Sequence, residues 1–199
     1  MKVLLKFSGA IDWLNEQCGR LFMLLVLIAV LISAGNAVVR KLFHSSSNAF
    51  LEIQWYLFGG IFLLCAGYTL LKNNHVRIDV IIGKMSKRAR ARIEIFGSLL
   101  FLLPFCAIII YYGVPQFMKT FTSGEMSADA GGLIRWPVML LIPVGFTLLA
   151  LQGVSEIIKN VAFLKGRAPF PHDEKAKSSE EQLAEEIRAM ALKKQGEEK

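Results

Sequence analysis

The stretch LFMLLVLIAVLISAGNAVV, from Leu21 to Val39, contains no charged residue. A helix needs about 20 mostly apolar residues to cross a hydrocarbon layer roughly 30 Å thick. Inside that layer the backbone must satisfy its own hydrogen bonds, so a continuous apolar run predicts a helix. The stretch therefore predicts a transmembrane span. About 20 residues precede it, including Asp12 and Glu16, which is longer and more mixed than the start of a signal peptide, so we expect the span to be retained.

Further along the chain, three more apolar windows follow, at residues 53–71, 95–118 and 136–158. Hydrophobic residues make up 54% of the 199 residues, above the roughly 45–50% of soluble domains. The runs do not alternate in polarity, which argues against a β-barrel. The sequence predicts an all-α integral membrane protein with four transmembrane helices.

Basic residues are concentrated between the second and third windows. Between Leu71 and Ile93, seven lysines and arginines stand against a single acid, Asp79; the basic residues are Lys72, Arg77, Lys84, Lys87, Arg88, Arg90 and Arg92. Such a bias is typical of a cytoplasmic loop, so we assign the net charge of +7 to membrane orientation and not to nucleic-acid binding. Both termini are then cytoplasmic, and the loops 40–52 and 119–135 lie outside, with Arg40 and Lys41 as a mild exception.

The segments outside the spans have their own patterns. Residues 1–20 carry apolar side chains at helical spacing, which predicts an amphipathic helix at the inner membrane surface; a plain extension of the first span is the alternative. Residues 165–199 form a polar cytoplasmic tail that ends in a predicted helix, with either Ser178 and Glu181 or Ser179 and Gln182 as a capping box. The four-span domain is therefore 21–164, and a docking role for the tail stays open.

Signals of catalysis and of metal binding are weak. The three histidines fall in loops, the three cysteines form no CxxC pair, and no P-loop or nucleophile elbow is present. We therefore expect no enzyme activity, cofactor or metal. Ionisable residues inside spans usually mark transport paths, and here the polar candidates lie only at the span edges: Asn36, Glu52, Gln54 and Glu156.

Two features at the span ends suggest contacts. Glu52 opens the second span, where a negative charge favours a helix N-terminus; the alternative is a contact with a partner subunit, together with the positive pair Arg40 and Lys41. After the same span, His75, Arg77 and Asp79 read either as a polar clasp that fixes how the chain leaves the membrane or as an ordinary interfacial loop.

Several motifs in order resemble one family. They are NAVVRKLF (36–43), FLEIQWYLFGG (50–60), HVRIDVI (75–81), SKRARARIE (86–94) and WPVMLLIPVGFTLLALQ (136–152). From Asp12 to Val161 the chain resembles the small membrane subunit of tripartite ATP-independent periplasmic (TRAP) transporters. It departs from that family where Ile53 and Gln54 follow Glu52, because a second carboxylate is common there.

The resemblance implies a non-catalytic permease subunit in the bacterial inner membrane, serving the secondary active uptake of organic acids. Its implied partners are phospholipid, a large membrane subunit that holds the sodium sites and the moving substrate domain, and a periplasmic substrate-binding protein. The expected partner-binding residues are Glu52, Trp55, His75, Arg77, Asp79, Arg135 and Trp136. A self-contained homo-oligomeric transporter or channel is the alternative.

Overall fold

A computed structural model describes residues 1–43, 48–73 and 85–171. It contains four helical segments that are long and apolar enough to cross a membrane, at Lys2–Phe43, Asn48–Leu71, Lys87–Ser123 and Trp136–Leu164. Each contains one predicted window, so the prediction of an all-α protein with four spans is confirmed.

The first segment is a single helix, α1, which runs from Lys2 to Phe43 over 42 residues. At 1.5 Å per residue this is about 63 Å of helix. The predicted surface helix at residues 1–20 continues into the first span without a break. The position of the membrane surface along α1 stays a prediction.

The second segment consists of α2 (Asn48–Leu64) and α3 (Ala66–Leu71), separated by a turn at Cys65. Helical hydrogen bonds continue through that turn, from the Cys65 N–H to the Ile61 carbonyl at 3.0 Å and from the Thr69 N–H to the Cys65 carbonyl at 2.8 Å. The two helices therefore form one span.

The third segment changes its pitch in the middle. Helix α4 (Lys87–Gly97) begins at the N-cap Ser86, whose hydroxyl accepts from the Ala89 N–H. A π-helical turn at Ser98–Leu102 then leads into α5 (Leu103–Ser123). Pro104 follows two residues after the turn and has no backbone N–H. The α-helical hydrogen bond to the Leu100 carbonyl is therefore lost here, and the wider turn falls at this position.

The last helix of the described residues, α6 (Trp136–Leu164), packs against the other three helical segments. Glycines make close approach possible: a Cβ on Gly145 would lie 2.7 Å from the Leu63 carbonyl oxygen, and one on Gly67 would lie 3.2 Å from that of Leu148. Neighbouring helices therefore approach the second span closely at Gly67. At Gly59 a Cβ would meet nothing within 4 Å.

The bundle has two ends, which we call the loop end and the terminal end. The loop end carries the connection 124–135, and the terminal end carries the start of α1 and the end of α6. At the terminal end Phe170 is only 4% exposed, and its ring lies 5.1 Å from that of Phe163. The predicted polar tail thus carries a buried aromatic residue near its start. The helix predicted further along the tail lies outside the described residues.

Candidate functional site

Glu52 lies at the loop end, in the second turn of α2, and is 4% exposed. Its carboxylate accepts a hydrogen bond from the Ser127 hydroxyl and another, of 2.6 Å, from the Leu133 backbone N–H. Both donors belong to the connection between α5 and α6. One side chain of α2 therefore holds a loop that is about 80 residues further along the chain.

The loop has the shape of a short hairpin. Gly124 ends α5 in the left-handed region at φ 61°, and a bridge pairs Met126 with Ile134. The Ser127 N–H donates to the Leu133 carbonyl at 2.9 Å. A Cβ on Gly132 would lie 2.7 Å from Glu52 Oε1, so a glycine allows the loop backbone to approach the carboxylate.

Two further side chains of α2 bind the same loop. The Asn48 amide donates to the Ala130 carbonyl at 3.0 Å, and the Tyr56 hydroxyl donates to the Ile134 carbonyl at 3.2 Å. We call Asn48, Glu52 and Tyr56, together with Ser127 and Leu133, the loop-end cluster. It fixes the connection 124–135 onto the start of the second span.

The predicted contact residues at this end have different environments. Glu52 is bound within the chain, whereas Trp55 is 69% exposed and points away from the bundle. Arg135 pairs with Glu125, and the Trp136 ring meets that of Phe121 edge to face at 5.6 Å. Their roles in binding a partner stay predictions.

The remaining predicted contact residues, His75, Arg77 and Asp79, lie outside the described residues, and so does the proposed clasp. The end of the second span is described as far as Asn73. There the Lys72 ammonium binds Glu16 of α1 at 2.9 Å, and Arg20 binds the same carboxylate at 3.2 Å. These hydrogen bonds lower the pKa of the Glu16 carboxyl, which precedes the first apolar window, and the bond from Lys72 has the larger effect.

A second polar group joins α1 to α6 at the terminal end. We call it the terminal-end cluster; its members are Ser8, Asp12 and Asn15 of α1 and Gln152, Ser155, Glu156 and Lys159 of α6. They recur every three or four residues, so each set lines one face of its helix. The hydroxyls of Ser8 and Ser155 are 2.7 Å apart, and the Asn15 amide donates to the Gln152 carbonyl oxygen at 3.0 Å.

Lys159 is the cationic centre of this cluster. Its ammonium lies 3.1 Å from Asp12 and 2.6 Å from Glu156. Asp12 also accepts from the Ser155 hydroxyl at 2.7 Å and from the Gln152 amide at 2.9 Å. The charged groups thus pair with one another across the two helices, which suits a structural joint, and among the described residues only Oε2 of Glu156 is left without a partner in these charged groups.

Of the residues in these two clusters, the sequence alone indicates Glu52 and Glu156 as candidates. It does not indicate Asp12, Gln152 or Lys159. The signal was present, because Ser8, Asp12 and Asn15 share a helical face, but polar residues before a span read equally well as a face exposed to water.

One comparison with known proteins identifies a family for most of the chain. The family model for the DctQ component of tripartite ATP-independent periplasmic transporters matches residues 28–163, which is more than half of the sequence. No curated protein matches the chain.

Proposed function

The chain belongs to the DctQ family of TRAP transporter components, and from this premise we propose that it is the non-catalytic small permease subunit of a sodium-coupled solute importer. In this role it braces the static part of the large membrane subunit. The solute and the sodium ions bind to other chains of the transporter.

The observation that carries this proposal is that the charged side chains at the two ends of the bundle pair within the chain. Intramembrane charged residues commonly mark transport paths. Here Glu52, Asp12, Glu156 and Lys159 bind groups of the same chain and join helix to loop or helix to helix. Such pairing within the chain supports the role of a rigid scaffold subunit. It argues against a path for ions through the chain itself.

We further propose that the terminal end faces the cytoplasm. The basic residues at the start of α4 support this orientation, because lysine and arginine are retained on the inner side. The loop end then faces the periplasm. There the connection 124–135, fixed by Glu52, together with the exposed Trp55, offers a firm surface for the periplasmic substrate-binding protein.

The test is co-purification followed by reconstitution. The chain carrying an affinity tag should retain an untagged large membrane subunit from the same operon in detergent. Proteoliposomes that contain both membrane subunits should take up solute when the binding protein and an inward sodium gradient are supplied. Liposomes with this chain alone should take up none.

Uptake by the chain alone would support the self-contained transporter instead and overturn the subunit assignment. Omitting the binding protein and collapsing the sodium gradient are the two controls for the coupled reaction. A Glu52→Gln chain that still binds the large subunit but responds less to the binding protein would support the docking role of the loop end.

A further inference from the structure

Two neighbouring tyrosines face outward from α5. Tyr111 is 73% exposed and Tyr112 is 70% exposed, and their rings meet edge to face with centroids 5.1 Å apart. Both belong to the apolar window 95–118. They are not part of either polar cluster.

Their depth follows from contacts at the two ends of the same segment. Toward the loop end, Phe121 meets Trp136, an aromatic pair of the kind that collects at a membrane surface. Toward the terminal end, Glu94 binds Asn160 at 3.0 Å. At 1.5 Å per residue, Tyr111 lies about 15 Å from the Phe121 level and about 25 Å from the Glu94 level.

Side chains on a helix lean toward its N-terminus. From Tyr111 and Tyr112 that direction leads away from Phe121 and into the middle of the apolar window. With the apolar window 95–118 spanning the hydrocarbon layer, as the proposed function requires, the hydroxyls lie near the middle of that layer, away from water and lipid headgroups.

At this depth the two hydroxyls lack a hydrogen-bond partner within the part of the chain that the structure describes. Nearby, Pro115 has no N–H to give to the Tyr111 carbonyl. Polar groups left unpaired in hydrocarbon are costly, and acyl chains can neither donate nor accept. Polar groups from another protein segment would therefore stabilise this face.

The surface beside the tyrosines can receive such a segment. A groove of about 350 Å³ runs between α5 and α6, and Val114, Met118 and Pro143 are among its lining residues. Tyr111 shares a helical face with Val114 and Met118, three and seven residues further along the chain. An apolar groove with the Tyr111 phenol on the adjoining helical face suits a transmembrane helix that carries a small polar side chain.

We infer that a transmembrane helix of the large membrane subunit packs on this face and that a Ser, Thr, Asn or Gln on it accepts from the hydroxyl of Tyr111 or Tyr112. The inference rests on the proposed function, which supplies the partner. A Ser, Thr, Asn or Gln side chain can also donate to the backbone carbonyl of Tyr111. The partner helix could therefore supply both an acceptor for a tyrosine hydroxyl and a donor for this carbonyl.

The test removes only the hydroxyls. Tyr111→Phe and Tyr112→Phe, made singly and together in the full-length chain, should leave the melting temperature of the isolated chain unchanged. Interhelical hydrogen bonds in membranes contribute roughly 0.6–1.7 kcal/mol, so the dissociation constant for the large subunit should rise about three- to eighteenfold in at least one single variant. Tyr56→Phe is the matched control, because the Tyr56 hydroxyl donates to the Ile134 carbonyl within the chain. Loss of this hydroxyl should lower the melting temperature of the isolated chain.

A photoreactive benzophenone side chain at position 111 identifies the neighbour directly. An adduct with the large subunit supports the inference. Adducts with a second copy of this chain or with lipid alone overturn it, as do tyrosine variants that bind as tightly as wild type. If the wild-type chain itself fails to retain the large subunit, the proposed function fails as well, so the two failures are distinguishable.

Discussion

Glu52 is a carboxylate that binds two donors six residues apart on one loop. The Ser127 hydroxyl and the Leu133 N–H approach different oxygens of the side chain. A carboxylate can accept at both oxygens, whereas an amide has one acceptor and one donor. The residue therefore does more than favour the start of α2 through its charge.

We expect Glu52→Gln to loosen the connection 124–135. The glutamine can accept from only one of the two donors, and its NH2 group would face the other. The melting temperature of the purified chain should fall, and a protease that cuts in the loop should act faster than on wild type.

The control for that change is Glu125→Gln, which breaks a half-exposed ion pair with Arg135. Exposed pairs contribute about 0–1 kcal/mol, so this variant should resemble wild type. Equal losses of stability in the two variants would contradict the special role of Glu52.

Two glycines of the second span offer a matched pair of substitutions. A Cβ on Gly67 would lie 2.2 Å from Asn15 Oδ1 and 3.2 Å from the Leu148 carbonyl oxygen, whereas one on Gly59 would meet nothing. Gly67→Ala should therefore destabilise the chain by about 1–3 kcal/mol, as overpacking does. Gly59→Ala should be neutral or stabilising by up to about 1 kcal/mol. Reversible unfolding of the isolated chain in mixed micelles measures both, and equal effects would refute the close packing of α1, α3 and α6.

At the scale of elements, α1 and α6 are joined by polar contacts over the terminal half of α1. In lipid, apolar side chains gain little by leaving their solvent, so association between helices depends on close packing and on hydrogen bonds. The terminal-end cluster supplies such bonds in sequence, from Ser8 with Ser155 to Asn15 with Gln152. This fixes the register of the two helices, since a slip by one turn would separate every pair.

Lys159 should be the most sensitive position in this cluster. Lys159→Met leaves Asp12 and Glu156 without their shared cation, and stranding a buried charge costs about 3–5 kcal/mol in full burial. These side chains keep some exposure, so we expect a smaller loss, of about 2 kcal/mol. Asp12→Asn should cost less, because Lys159 keeps Glu156. Urea or SDS unfolding of both variants tests the order, and the reverse order would contradict the central role of Lys159.

The end of α6 gives a test of how much of the chain beyond Leu164 contributes to stability. A chain that ends at Pro171 keeps Phe170 against Phe163, whereas one that ends at Ala168 loses this buried ring. The longer chain should match wild type in stability, and the shorter one should lose about 1.5–3 kcal/mol, the value of burying a large apolar side chain. If both truncations match wild type, the contact with Phe163 contributes nothing measurable.

At the scale of the molecule, the four spans were predictable because a helix that crosses a bilayer must be long and apolar. The faces of these helices that pack against one another could not be predicted. Phe58 and Phe62 lie on the exposed surface while Gln152 and Asn160 are fully buried, which is the reverse of a soluble protein. Since the surroundings are as apolar as the interior, hydrophobic periodicity does not reveal which face packs. The contact of Glu52 with Leu133, between residues so far apart in sequence, had no local signal at all.

The orientation of the whole molecule can be measured with two cysteines in a chain whose native cysteines are replaced. Position 86 precedes α4 and position 123 ends α5, at opposite ends of the third segment. A thiol reagent that does not cross membranes should label Ser123→Cys in intact spheroplasts and should label Ser86→Cys only after lysis. Labelling of position 86 from outside would invert the proposed orientation.

The unbroken course of α1 sets a demand on bilayer thickness. A helix of about 63 Å exceeds a typical bilayer, which measures about 40–45 Å including headgroups. Yet Val3, Phe7 and Trp13, near its start, are apolar and exposed. A large tilt of α1 from the bilayer normal would keep these side chains in contact with lipid. The tilt angle that is needed would increase as the acyl chains become shorter. We therefore expect the tilt of α1 to depend on the thickness of the bilayer.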